Sequence, residues 1–212
     1  MTDYSFVRRH LIDPAPKWRD QRNPLPAVFL DRDGVINQEV HYLSKPEDMA
    51  LIPGVGAAIA RINAASVPVV VVTNQSGVAR GFLGEDGLLV LHQRMTDLLA
   101  AEGASVQGIY YSPFHPDGQG EYRKESICRK PGPGMILAAC EDFAIDRGES
   151  VLIGDKLADI GAGRAAGMKA VLVKTGHGAK ESQLPGAQTA DFIANDLADA
   201  IDRLFEMGVI AR

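Results

Sequence analysis

The chain has 212 residues, 46% of them hydrophobic and 23% charged, with a formal net charge of −5 and two cysteines. That length supports one domain with a full core. The acidic balance argues against non-specific nucleic-acid binding, and two cysteines cannot build a disulfide scaffold.

No stretch reaches the ~18 apolar residues of a membrane span. Residues 1–10 carry no apolar signal-peptide core. The expected setting is therefore cytoplasmic, with no membrane and no nucleic acid as partner.

Residues 1–25 are polar, with prolines at 14, 16 and 24, and read as an irregular arm. Its Arg8, Arg9, Lys17, Trp18, Arg19 and Arg22 are expected to dock on the body, the alternative being an anion site. The main domain is expected over 26–212. It opens with a short apolar strand at 27–30, then helical spacing over 55–65. Residues 67–72, Val-Pro-Val-Val-Val-Val, suit a strand covered on both faces. Residues 85–102 place Leu88, Leu91, Met95, Leu98 and Leu99 on one helical side. Strands follow at 106–111, 150–154 and 170–174, and helices at 133–143, 157–166 and 196–207. Such alternation implies an α/β fold with a mainly parallel sheet and helices on both faces. Residues 112–134 break the rhythm as a long loop, which in a compact domain is usually functional.

Four segments bear chemistry, each at or after a predicted strand. Asp31-Arg32-Asp33-Gly34 follows the first. Two carboxylates crowded there are costly unless a cation or a proton compensates. Mg²⁺ is the natural compensation, since it takes oxygen ligands and joins carboxylates to phosphates. Thr73-Asn74-Gln75-Ser76-Gly77 follows the valine run. Arg129-Lys130-Pro131 ends the long loop, and Gly154-Asp155-Lys156-Leu157-Ala158-Asp159 follows a later strand.

Each segment alone has a plain explanation: a turn, a capped helix start, a solvated basic pair. Together, on the C-terminal edge of one parallel sheet, they make a phosphoryl-transfer site. Asp31 can attack phosphorus, and Asp33 can exchange a proton with the leaving group and with water. Thr73 and Lys130 can hold phosphoryl oxygens. Asp31 and Asp155 can hold Mg²⁺. Asp159 can position Lys156 or a metal-bound water.

Phe-Leu-Asp-Arg-Asp-Gly-Val-Ile-Asn, Thr-Asn-Gln-Ser-Gly-Val-Ala-Arg-Gly and Cys-Arg-Lys-Pro-Gly-Pro-Gly-Met resemble motifs of the haloacid dehalogenase-like phosphatases. More narrowly they look like the D,D-heptose 1,7-bisphosphate and histidinol-phosphate phosphatase group. The resemblance covers 27 to about 177. It implies a three-layer Rossmann-like sheet, with no large cap domain expected and the 112–134 loop as a small lid. It implies Asp31 as nucleophile, Asp33 as general acid/base, and Asp31, Asp155 and the Asp33 carbonyl as Mg²⁺ ligands. Thr73 and Lys130 match residues that hold the phosphoryl group. Glu39, Val40, His41, Tyr42, Asn74, Gln75, Ser76 and Lys156 match substrate-side positions. Arg129 matches a recognition residue, and Arg80 could meet a distal phosphate.

The group typically carries structural zinc in the long loop through Cys-x-His and Cys-x-Cys. Here those positions are Ser112, Phe114, Ser126 and Cys128. Tetrahedral structural zinc wants four thiolate or imidazole ligands, so no structural zinc is expected, even with His115 nearby. Phe114, Tyr122 and Ile127 are then the expected anchors of the loop. The expectation is a Mg²⁺-dependent phosphomonoester hydrolase acting through an aspartyl-phosphate, with heptose 1,7-bisphosphate as leading substrate. Histidinol phosphate, or a non-catalytic phosphate-binding relative, is the alternative. The expected partner is a phosphorylated small molecule, and the chain a monomer or weak dimer.

Overall fold

The structure is a computed structural model describing residues 7–13, 18, 20 and 22–210. Among these residues seven strands are formed: β1 Arg8–Leu11, β2 Val28–Leu30, β3 Val69–Asn74, β4 Gly108–Ser112, β5 Val151–Gly154, β6 Lys169–Val173 and β7 Phe192–Ala194. They form one sheet in the order β1-β4-β3-β2-β5-β6-β7. Every pairing is parallel except that of β1 with β4. The helices are α1 Val55–Ala64, α2 Ser76–Ala79, α3 Glu85–Ala101, α4 Gly134–Asp142, α5 Leu157–Ala166, α6 Gly178–Glu181 and α7 Leu197–Glu206.

The sheet has a core on each face, which is why its central strands are apolar without alternation. Val28, Leu30, Val69 and Val71 face one core, filled by α1, α3 and α7 through Ile59, Ile62, Leu91, Met95, Ile201 and Leu204. Phe29, Val70, Val72 and Leu152 face the other, against Met135, Ile136 and Ala139 of α4 and Ala162 and Ala166 of α5. No helix among the described residues is long and apolar enough to cross a membrane.

Two strands were not legible in the sequence. Arg8–Leu11, expected to be irregular, is the edge strand β1. Its outward arginines hide the pattern. Arg8 pairs with Glu85 at 3.4 Å and Arg9 with Asp142 at 3.1 Å. Trp18 of the arm is buried and joins the α4–α5 core, whereas Lys17 and Arg19 lie outside the described residues. Strand β7 has three residues, too few to show a period.

The long loop packs back on the body. Gln119 N–H donates to the Ala79 carbonyl at 2.7 Å, holding the loop against α2. Phe114 is buried, and Tyr122 Oη donates to Glu85 at 3.1 Å. Ile127, expected as an anchor, is instead 51% exposed; the turn around it is held by its carbonyl, which accepts from Gly134 N–H at 2.9 Å.

Strand β2 lies between β3 and β5, and the chain leaves it toward β3 and β4 before crossing back to β5. That reversal opens a crevice beyond the strand C-termini, where ligands bind in open α/β sheets.

Candidate active site

Asp31 is the first residue past β2, and its N–H continues the ladder to the Ile153 carbonyl at 3.0 Å. Its carboxylate meets Lys130, whose Nζ lies 2.9 Å from Asp31 Oδ1. The same ammonium donates to the Val72 carbonyl at 2.7 Å and is ion-paired with Asp159. Lys130 is buried. Burial alone would lower its pKa, but the charges of Asp159 and Asp31 outweigh that and raise it. Asn74 explains how a loop residue is placed so closely. Its amide brackets the Lys130 backbone, accepting from the N–H at 2.9 Å and donating to the carbonyl at 3.0 Å.

Asp159 enters this cluster from the first turn of α5, where its Oδ2 accepts from Lys156 N–H at 3.0 Å. Position 154 must be glycine for this, because a Cβ there would collide with the Asp159 side chain. Burial lifts Asp159 to a pKa of about 6 against the pull of Lys130.

Asp155 sits deeper still. Its Oδ2 accepts from His177 N–H at 2.7 Å, while its Oδ1 is buried without a partner. Burial first, and then the charge of Asp31, pushes Asp155 up to about 8. Gly34 and Gly176, both at positive φ, close over it; a Cβ on either would collide with its carboxylate. Thr175 locks the two loops together by donating to the Gly34 carbonyl at 2.6 Å. Asp31, Asp155 and Asp159 each bring one carboxylate oxygen within 4.8 Å of the others. An orphaned buried oxygen among crowded carboxylates fits a hard divalent cation with oxygen ligands.

Asp33 points into a different set of partners. Arg32, fully buried, grips it with Nε at 3.1 Å and Nη2 at 2.8 Å. Asn37 donates to Oδ1 and Gln75 to Oδ2, each at 2.9 Å. Burial raises the Asp33 pKa, but the Arg32 charge and these hydrogen bonds outweigh it and leave it lowered.

One cavity is lined by Asp31, Asp33, Thr73 and Lys130 together with Glu39, Val40, His41, Tyr42, Asn74, Gln75, Ser76 and Lys156. Lys156 Nζ lies 3.5 Å from Glu39 and His177 Nε2 lies 3.4 Å from it. Tyr42 has a φ of 55° and rests its ring on Phe82, the centroids 4.3 Å apart.

Arg80 and Arg129 are not on that lining. They sit to one side, around His115. Arg80 Nη2 is 3.5 Å from His115 Nε2, and Arg129 Nη1 donates to the Phe114 carbonyl at 3.3 Å. Arg80 Nε is buried without a partner. Burial and the charge of Arg80 both lower the Arg129 pKa.

Residues 127–200 match the family model described as HAD-hydrolase-like. A D-glycero-D-manno-heptose-1,7-bisphosphate 7-phosphatase of Thermosynechococcus vestitus is 44% identical over 186 residues, 84% of this chain and 95% of the relative. The chain belongs to the haloacid dehalogenase-like phosphatases. A second relative, the D-glycero-beta-D-manno-heptose-1,7-bisphosphate 7-phosphatase of Pasteurella multocida, is 41% identical over 82% of this chain and 93% of its own. The D,D-heptose 1,7-bisphosphate phosphatase of B. bronchiseptica, solved with magnesium and phosphate, superposes with a TM-score of 0.77. It is 34% identical and covers 86% of this chain and 99% of its own.

The residues of this phosphatase's long loop do not fit structural zinc. Ser126 Oγ accepts from Cys128 N–H at 3.2 Å, and the Phe114 ring packs under Lys124 Nζ at 4.1 Å. His115 Nδ1 accepts from Asp117 N–H at 3.0 Å, and its other nitrogen faces Arg80. Among the described residues, no cluster of metal-ligating side chains includes Cys128 or His115.

Sequence reasoning missed Arg32, Asn37, Thr175, Gly176 and His177. Asn37 closes the Asp33 turn, its carbonyl accepting from Gly34 N–H at 2.8 Å. The Thr-Gly-His-Gly run directly after a strand had the right position and glycine spacing to be noticed, and the Asp-Arg-Asp-Gly-Val-Ile-Asn turn contained both Arg32 and Asn37.

Proposed function

We propose that this phosphatase hydrolyses the 7-phosphate of D-glycero-D-manno-heptose 1,7-bisphosphate, through a phosphoryl group carried on Asp31 and with Mg²⁺ bound. The observation that carries the reading is that Asp31, on the lining of one cavity, meets Lys130 on one side and Asp155 on the other, the three coming from separate loops. The names of the relatives support the choice of sugar.

Asp31 can attack phosphorus from a carboxylate held in place by its ion pair with Lys130. Lys130 and Thr73 neutralise and orient the phosphoryl oxygens. Asp33 gives a proton to the leaving alkoxide as the P–O bond breaks and the bond to Asp31 forms. It then takes a proton from the water that hydrolyses the aspartyl-phosphate. Asp31, Asp155 and the Asp33 carbonyl would hold Mg²⁺, which supplies charge neutralisation for the approaching phosphate. Lys156 leaves Glu39 to meet the substrate anion. Arg80 and Arg129, the two cations around His115, hold the second phosphate.

The test is kcat/KM with Mg²⁺ on heptose 1,7-bisphosphate, a heptose monophosphate and histidinol phosphate. The bisphosphate is expected to lead, Asp31→Asn to abolish turnover, and Arg129→Ala to erase the margin over the monophosphate. A clear preference for histidinol phosphate overturns the substrate. No turnover of any phosphomonoester overturns the chemistry.

A further inference from the structure

The Gln75 side chain makes three hydrogen bonds, all to side chains named above. Its Oε1 accepts from Arg32 Nη2 at 3.1 Å, and its Nε2 donates both to Asp33 Oδ2 and to Thr73 Oγ1, each at 2.9 Å. The amide cannot be the other way round. A guanidinium only donates and a carboxylate only accepts, so Arg32 takes the oxygen and Asp33 the nitrogen. Gln75 is buried, as are Arg32 and Asn37. Asn37 Nδ2 completes the set on Asp33 Oδ1 and is tied in turn to the Gln38 carbonyl at 2.9 Å.

We propose that Gln75 and Asn37, backed by Arg32, are positioning residues that aim the Asp33 carboxyl for proton transfer and, through Gln75 alone, aim the Thr73 hydroxyl at the phosphoryl group. The inference rests on Asp33 being the general acid/base. A threonine hydroxyl has one hydrogen to give. By filling an acceptor site on Thr73 Oγ1, Gln75 leaves that hydrogen pointing away, toward the cavity that Thr73 lines. The same NH₂ group holds Asp33, so one side chain sets the geometry of the proton donor and of the phosphate binder together. Asn37 touches only the proton donor among these two.

In the step concerned, Asp33, a carboxylate in this resting arrangement, first takes up a proton from solvent; that proton moves to the leaving oxygen while the P–O bond breaks and Asp31 bonds to phosphorus. A poor leaving group such as a sugar alkoxide needs that proton. A p-nitrophenolate does not. The ratio kcat/KM runs only through departure of the leaving group, so the later hydrolysis of the aspartyl-phosphate does not enter it.

The experiment compares kcat/KM on heptose 1,7-bisphosphate and on p-nitrophenyl phosphate for Asn37→Ala, Gln75→Glu and Asp33→Asn, with melting curves for each protein. A catalytic group displaced by about 1 Å costs about 100-fold. Asn37→Ala is expected to lose about that on the sugar phosphate and about tenfold less on p-nitrophenyl phosphate. Gln75→Glu keeps the size and the Arg32 partner but repels Asp33 and abandons Thr73. It is expected to lose on both esters, more on the sugar. A folded Asn37→Ala losing equally on both esters, or a Gln75→Glu with wild-type rates, overturns the proposal. Should Asn37→Ala fail to fold, Gln75→Glu decides alone. If Asp33→Asn itself loses equally on both, the general-acid reading has failed. If Asp33→Asn shows the difference and the other two do not, only the positioning role has failed.

Discussion

Lys130→Met removes the cation paired with two buried carboxylates. In the native site its ammonium lies 2.9 Å from Asp31, is paired with Asp159, and satisfies the Val72 carbonyl at 2.7 Å. Taking one partner from a buried ion pair costs about 3–5 kcal/mol, because the remaining charge stays in a poor medium. The unsatisfied carbonyl adds about 1 kcal/mol. Protonation limits the damage. Asp159 already has a pKa near 6 with Lys130 present, and without it burial acts unopposed by that charge. One pH unit is worth about 1.4 kcal/mol per titrating group. The loss is therefore expected to be full at pH 8 and about 2 kcal/mol smaller at pH 5.5. Adding Asp159→Asn removes one of the stranded charges, keeps an oxygen for the Lys156 N–H, and is expected to restore about 2 kcal/mol at pH 8. Urea unfolding in EDTA, followed by fluorescence of Trp18, the single tryptophan, measures all three proteins. A cost below about 1 kcal/mol at pH 8, or no recovery in the double variant, would refute a buried charge triad.

Asn74→Ala loses both hydrogen bonds that fix the Lys130 backbone. It is expected to destabilise the fold by about 2 kcal/mol and to lower kcat more than it raises KM, in chemical denaturation and steady-state assays. Gly176→Ala puts a methyl group against the Asp155 carboxylate. Mg²⁺ affinity by calorimetric titration is expected to fall about 10–100-fold, as for other groups that orient metal ligands; unchanged affinity would remove Asp155 from the metal site. The pKa of Asp155 is raised from 3.8 to about 8, so in that window the native state holds a proton the unfolded chain has released. Stability of the metal-free protein is then expected to fall as pH rises from 6 to 8.5, Asp155→Asn to flatten the trend, and Mg²⁺ to offset it. Melting temperatures in EDTA and in Mg²⁺ check this, and a rise in stability with pH would contradict it.

Much of this chain is written in local pattern. Runs such as Val69 to Val72 are apolar at every position because both faces of the sheet are covered, and α3 repeats its leucines on one side. Motifs at strand ends mark Asp31, Thr73 and Asp155, since a parallel sheet gathers those ends at one edge whatever the loops do; Lys130, at the end of the long loop, is brought there by Asn74. Periodicity did not reach β1, an arginine-rich edge, or β7, which is three residues long. Nor does spacing reveal direction. That Gln75 turns inward to Asp33 and Thr73, that Asn74 brackets Lys130, and that Arg80 and Arg129 stand apart from the cavity are matters of which atoms find partners once the loops are packed. Covalent order alone says which groups arrive at the edge of the sheet; only the folded packing, where each buried donor must find an acceptor, decides what each one holds.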